Sequence, residues 1–292
     1  MHISVLKKEI DLLIKRITMN KNNFDNYKAI DFTFGGGGHS EIILSNWYQN
    51  GQLISIDRDP VTEIYAKRLK EKYGQMFQYY NDISLNMRNF INNNDKVLFI
   101  LGDLGLSQIQ LKNKRGFAYK EDSNLDMQMG IGSLGNLFIF LQNTTLNKIG
   151  EILREYGEEP QWYKISIKIY ENRHNLTTTF QLKKTILSAI NLNYKEENQC
   201  LSRCFQAFRI FINDEIEILI KTLKISYDTL MENGILGIIT FHSLEDRIVK
   251  NFFKKYLKEI EIIYPSEEEI LINKQSRSAT LRVGKKIFTN KD

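Results

Sequence analysis

The chain has 292 residues, 42% hydrophobic and 26% charged, enough for one large domain or two modest ones and ordinary for a globular protein in water. A net charge of +5 permits an acidic partner such as nucleic acid without demanding one. No apolar run approaches the ~20 residues of a membrane helix, and the segment Met1 to Glu9 lacks the apolar stretch of a secretory signal. Early acids, Glu9 and Asp11, argue against an Arg-rich transit peptide, so a soluble, cytoplasmic protein is expected. Cys200 and Cys204 share one helix face with no His nearby to complete a metal site, which suits core thiols in a reducing compartment and no bound metal.

Apolar residues at 5, 6, 10, 13, 14 and 17 predict a first helix. Ala29 to Phe34 is apolar and β-prone, residues 35–38 are four glycines, and an amphipathic run extends from Ser40 to Tyr48. That order reads strand, tight loop, helix, a place where backbone N–H groups approach a ligand. A second strand, Gln52 to Asp57, ends in a carboxylate 19 positions after Gly38. The spacing suits an acid that binds ribose hydroxyls in a nucleoside fold. A helix over 61–73, a short strand at 77–80 and the buried-strand run Val97 to Leu101 follow. Strands alternating with helices from 27 to 105 predict a doubly wound α/β sheet, with ligands at the strand C-terminal ends.

The alternation then stops. Helical stripes at Leu134, Leu137, Phe138 and Leu141, at Leu146, Ile149, Ile152 and Leu153, and at Leu182, Ile186, Leu187 and Ile190 predict an inserted helical domain over 113–208. The remainder, 1–112 and 209–292, would form one discontinuous core, completed by a helix over 213–231 and strands near 234–241, 260–264 and 280–283.

Asp31, Asp57 and Asp103 fall at predicted strand ends and would converge on one crevice, although each alone would suit a turn or helix cap. Ser243 followed by Asp246 suits a helix N-cap after the strand at 241, and His242 with Ser243 would equally stand in the crevice beside Asp103, within reach of a base edge. His39 reads as a helix N-terminal residue contacting loop backbone, ahead of a catalytic general base. Arg115, Arg203 and Arg209 interleave with aromatic residues around the insertion, as where bases stack and phosphates are held, or where aromatics seal a domain junction. Arg277 and Arg282 suit either phosphate contact or a solvated strand edge. An NAD-dependent oxidoreductase is disfavoured because Ser40 stands where the last Gly of G-x-G-x-x-G belongs.

Read together, Asp31-x-Thr33-Phe34-Gly35-x-Gly37-Gly38-His39-Ser40, Ile56-Asp57-Arg58-Asp59-Pro60, Asp103-Leu104-Gly105-Leu106-Ser107-x-x-Gln110-Leu111, Leu125-Asp126-Met127-x-Met129, Tyr156-Gly157-Glu158-Glu159, Arg203-x-Phe205-Gln206-Ala207-x-Arg209-Ile210, Phe241-His242-Ser243-Leu244-Glu245-Asp246-Arg247 and Arg277-Ser278-Ala279-x-Leu281-Arg282 resemble the bacterial 16S rRNA (cytosine-N4)-methyltransferases, the RsmH/MraW family. With His2-x-Ser4-Val5-Leu6 and Arg115-Gly116-Phe117, the resemblance runs in order from residue 2 to about 283 and implies a class I Rossmann-like S-adenosylmethionine-dependent methyltransferase sheet. It implies S-adenosyl-L-methionine as cofactor and methylation of one cytidine in the decoding region of 16S rRNA, within the small ribosomal subunit. By position, Gly37, Gly38 and His39 would hold the methionine end, Asp57 the ribose, and Asp103 and Gln110 would complete the pocket. Ile83 falls where the family has Phe against the adenine; Gln108-Ile109 replaces Ser-Pro, and Cys204 replaces Thr. Asp103, with His242 and Ser243 nearby, is expected to orient the target amine. Ile83, Gln108 and Ile109 motivate an alternative, a nucleic-acid-binding or assembly protein that kept the fold without turnover. The oligomeric state stays open, a homodimer included.

Overall fold

The apolar run Val97 to Leu101 lies within strand β4 (Lys96–Asp103) of the computed structural model, and all of these residues are buried. Residues 4–19, 26–107, 110–111 and 113–287 are described. The chain divides into two units, Met1–Gly105 with Glu217–Asp292, and Leu106–Ile216; the helical insertion expected over 113–208 falls within the second.

In chain order, helix α1 (Lys7–Thr18) precedes β1 (Tyr27–Asp31), α2 (Gly38–Asn46), β2 (Gln52–Asp57), α3 (Glu63–Tyr73), β3 (Phe77–Asn81) and β4. The second unit holds α4 (Leu137–Asn143), α5 (Leu146–Glu155), α6 (Trp162–Asn172), α7 (Thr179–Ser188) and α8 (Tyr194–Ile212). Then follow α9 (Glu215–Thr229), β5 (Leu230–Thr240), α10 (Ser243–Tyr256), β6 (Lys258–Ile263), α11 (Glu267–Ile272) and β7 (Thr280–Lys285).

Among the described residues, seven strands form one sheet in the order β3-β2-β1-β4-β5-β7-β6. Strands β1 to β5 run parallel, and β7 is antiparallel to both β5 and β6. Side chains alternate across the sheet, as the period of a strand requires. Ala29, Leu53 and Leu101 join the core with Ile10, Ile14 and Ile43 of α1 and α2. Ile30, Ile54, Ile100 and Ile238 join the one with Leu223 of α9 and Val249 and Phe253 of α10. Helices on both faces make this the expected Rossmann-like α/β sheet. The strand order departs in both directions from β1, so β1 and β4 flank a switch point where ligands bind beyond the strand C-termini.

In the second unit, Leu125, Met127, Leu141, Ile152, Leu153, Ile165, Leu182, Phe205 and Phe208 share one buried core. Capping boxes start two of its helices, Thr178 with Gln181 for α7 and Asn193 with Glu196 for α8. Two expectations need correction. Leu134 was expected on a helical stripe but precedes α4 and is 61% exposed, because Asn136 caps the helix and donors begin at Phe138. The helix after the glycines starts at Gly38, two residues before Ser40, so His39 lies inside it.

Phe253→Ala deletes a fully buried ring and should cost about 3–5 kcal/mol, read as a lower urea midpoint at unchanged slope. Leu134→Ala should move the same midpoint by less than about 0.5 kcal/mol.

Candidate active site

The end of β1 is held by hydrogen bonds that converge on Asp31, which is 1% exposed. One carboxylate oxygen accepts the Ser40 hydroxyl at 2.6 Å; the other accepts the Thr33 amide at 3.1 Å. Ser40 Oγ also lies 2.8 Å from Ser55 Oγ on β2, and Thr33 Oγ1 accepts the Asp103 amide at 2.6 Å. Asp31 therefore ties together the C-terminal ends of β1, β2 and β4. Burial pushes its carboxyl up from the ordinary value, against the Ser40 hydrogen bond and the nearby His39. Thr33 went unassigned in the sequence, although its place two residues after Asp31 is the spacing of an Asx turn.

Gly37 supplies the N-cap of α2 at φ +77°, and a Cβ there would meet the Phe34 ring at 2.8 Å. Only glycine holds that conformation without strain. The first turn of α2 thus opens at the strand ends with free-standing helix amides. His39 is buried, with Nε2 3.3 Å from Asp103 Oδ2 but outside hydrogen-bonding geometry, and Nδ1 without a partner among the described residues. Burial alone would lower its pKa; the carboxylates of Asp103, Asp31 and Glu269 outweigh that and raise it.

Asp57 accepts the Gly35 amide at 2.6 Å and the Asp59 amide at 2.9 Å. Burial pushes its carboxyl up to about 7, with Asp59 and Asp31 adding repulsion against the two amide bonds. Its carbonyl accepts from Asn81 Nδ2 and the Asp82 amide, which fixes the end of β3 beside it. Ile83 is half-buried, and its amide donates to Asp82 Oδ1 at 2.7 Å.

Asp103 follows in register opposite Ile239 of β5, so the segment at 241–243 emerges from the neighbouring strand end. His242, not Ser243, is the N-cap of α10: its Nδ1 accepts the Glu245 amide at 3.4 Å. Glu245 in turn accepts the Phe241 amide and brings Oε1 to 2.9 Å from His242 Nε2. The Ser243–Asp246 capping expectation is corrected accordingly; the extended φ of −143° at His242 is what an N-cap adopts, whereas Ser243 is already helical. With Nδ1 an acceptor, the neutral ring carries its proton on Nε2, facing Glu245. Ser243 is exposed, and the His242 ring is held by the Glu245 amide at Nδ1, with Nε2 close to the Glu245 carboxylate but outside hydrogen-bonding geometry.

The model of the MraW methylase family matches residues 1–287. The chain belongs to the MraW methylase family. It is 37% identical over 308 residues to the ribosomal RNA small subunit methyltransferase H of Buchnera aphidicola from Schizaphis graminum, covering 96% of each chain. It is 36% identical over 307 residues to the protein of the same name from Clostridium botulinum, covering 96% of this chain and 99% of that one. Among solved structures, an rRNA methylase from Streptococcus thermophilus aligns over 99% of both chains with 8% identity and a TM-score of 0.44.

In this MraW-family chain, the arginines read from sequence stand in different settings. Arg282 is buried and bidentate on Asp246, at 2.9 and 2.8 Å, whose carboxyl it holds below the ordinary range. Arg277 is exposed. In the helical unit, Arg209 is bidentate on Glu215 at 2.9 and 2.8 Å, and Arg203 pairs with the buried Glu159 at 2.8 Å. Arg115 donates to the Gln128 carbonyl and lies 5.6 Å from the Phe117 ring centre. Gln110 and Ser107 bond reciprocally, amide to side chain in both directions, as in a capping box. Gln108 and Ile109 lie outside the described residues.

Glu159, Cys200 and Cys204 approach one another in the buried core of that unit. The Glu159 carboxylate already accepts Arg203 and the Gln161 amide. A hydrogen bond of the Cys204 thiol with Cys200, together with burial, raises the Cys204 pKa well above its ordinary value, which favours the thiol over a metal-binding thiolate.

His39 should titrate above the ordinary ~6.5 in ring-proton NMR. Asp103→Asn removes the nearest anion, so burial should prevail and carry the same resonance lower.

Proposed function

We propose that this chain transfers the methyl group of S-adenosyl-L-methionine to the exocyclic N4 amine of a cytidine in the decoding region of small-subunit 16S rRNA, in the cytoplasm. The reading rests on the family, on relatives named as methyltransferases of small-subunit rRNA, and above all on one carboxylate. Asp103 is fixed through its own amide to Thr33 yet stays partly open at the end of β4, with a side chain 23% exposed.

The residues fit the cofactor. Gly37 caps α2 at a positive φ with the Phe34 ring packed against it, so no side chain stands at the helix N-terminus, and the buried Nδ1 of His39 has no partner among the described residues. Gly37, Gly38 and His39 would hold the methionine end, Asp57 the ribose hydroxyls, and Ile83 would cover the adenine. An aliphatic side chain covers a base edge through contact area alone, without the stacking an aromatic ring adds. The bound cofactor supplies a methyl group on a sulfonium, already activated for transfer to nitrogen.

The chain's own residues must then do three things. They must receive a base taken out of its stack, hold its amine in line, and accept its proton as the new N–C bond forms. A cytosine amine is a poor nucleophile because its lone pair is delocalised into the ring. A carboxylate accepting its hydrogen bond localises that pair, and Asp103 is suited to the task. His242, with Nδ1 engaged and Nε2 facing Glu245, is suited to shaping the strand end and not to taking a proton. Exposed Arg277 remains a candidate for phosphate contact, whereas Arg282 serves Asp246.

Methyl transfer from labelled S-adenosylmethionine to small subunits lacking the modification should yield N4-methylated cytidine. Asp103→Ala should abolish transfer and retain S-adenosylhomocysteine binding; unaffected turnover would sink the assignment. Tight S-adenosylhomocysteine binding with no transfer by the native protein would favour an assembly role.

Hydroxyl donors prefer the ionised carboxylate, and the Asp57 carboxyl titrates at about 7 in the free protein. Affinity for S-adenosylhomocysteine should therefore rise with pH through neutrality and level off above it. Asp57→Asn should weaken binding and flatten that dependence, measured by calorimetry across the range.

A further inference from the structure

The helical unit carries an open groove of about 790 Å³ along α8, lined by Tyr119, Tyr194, Lys195, Asn198, Gln199 and Arg203, with Ser202 beneath Tyr119. Tyr119 is a fixed wall: its ring meets Phe205 edge-on at 5.6 Å, and its hydroxyl lies 3.2 Å from Ser202 Oγ. Tyr194 is a different kind of wall. It opens the first turn of α8, held by the Asn193–Glu196 capping box, yet the residue is 82% exposed. An exposed aromatic ring on a locked backbone offers a stacking face at little ordering cost.

The charged residues that line it, Lys195 and Arg203, are both basic, although Glu196 and Glu197 share the first turn of α8. Lys195 is exposed and makes no ion pair among the described residues, and Arg203 keeps a third of its side chain exposed while anchored on Glu159. No acid lines the groove; Glu196, in the same turn, is turned back to accept the Asn193 amide. Gln199 adds an exposed side-chain amide, which can donate to or accept from a base edge.

We propose that this groove is a second RNA contact, which takes unpaired nucleotides of the substrate by stacking a base on Tyr194 and holding the adjoining phosphates at Lys195 and Arg203. Flat rings, cations and amides without acids are the components of sites for single-stranded nucleic acid. An acidic peptide would use the cations but leave the ring faces unexplained. The proposal rests on the reading of this chain as an rRNA methyltransferase, and adds a site remote in sequence from the strand ends of the sheet.

The test uses the full chain, small subunits and a short mixed-sequence oligoribonucleotide. Tyr194→Ala should raise the KM for subunits about tenfold, with kcat and S-adenosylhomocysteine affinity unchanged. Lys195→Gln should reduce the slope of log affinity against log salt by about 1 for the oligoribonucleotide. Native KM and salt slope in both variants overturn the proposal. Weakened action on subunits with unaltered oligoribonucleotide binding also overturns it, in favour of a ribosomal protein as the partner. A native protein that transfers no methyl group defeats the reading of function; oligoribonucleotide binding lost in Tyr194→Ala still upholds the groove.

Discussion

A carboxylate buried to 1% exposure is costly unless its oxygens are occupied, and the one at Asp31 is occupied by the groups that build the site. Ser40 brings the first turn of α2 to it, Ser55 joins through Ser40, and Thr33 connects it to the backbone of Asp103. Removing one partner would leave a buried acceptor unsatisfied at about 1–3 kcal/mol. It would also let the strand ends move relative to one another. Positions of Asp57 and Asp103 depend on this arrangement, because both leave strands paired to β1. Positioning within fractions of an ångström governs group transfer, so the clamp matters to chemistry as well as to folding.

The charged groups divide into those that hold the protein together and those left for a partner. Arg282, Arg209 and Arg203 each meet a carboxylate at 2.8 Å, and all three partners are at least two-thirds buried. Breaking a buried pair strands the remaining charge at a cost of about 3–5 kcal/mol, so Arg282 and Arg209 are structural, whereas Arg203, with a third of its side chain exposed, is anchored on Glu159 and also lines the groove. Exposed Lys195 and Arg277 are not so committed. The same division separates Glu245, buried behind His242, from Asp103, partly open at its strand end.

The helical unit and the sheet solve different problems. Helix stripes around Leu153, Leu182 and Phe208 bury one core and leave Tyr194, Lys195, Gln199 and part of Arg203 to the groove along α8. The sheet buries both faces and exposes function at its strand ends, where side chains leave the pleat.

Much of this was legible in the residue order. Five consecutive apolar residues, Val97 to Leu101, identify a doubly buried strand; glycines followed 19 positions later by Asp57 identify a nucleoside-type turn. These are local signals, carried by period, propensity and spacing. Which cap starts a helix was less legible: His242 and Asn136 prevailed over Ser243 and the Leu134 stripe because a cap depends on backbone angles that neighbours share. Strand order, the antiparallel β7 and the fate of each arginine were not legible at all. Arg282 and Asp246 are 36 positions apart, and only the pairing of β5 with β7 brings that strand beside α10. The sequence by itself determined the elements, the family and the candidate acids. Tertiary structure alone decided which charges meet, because an ion pair is a matter of distance in space, and chain separation does not encode it.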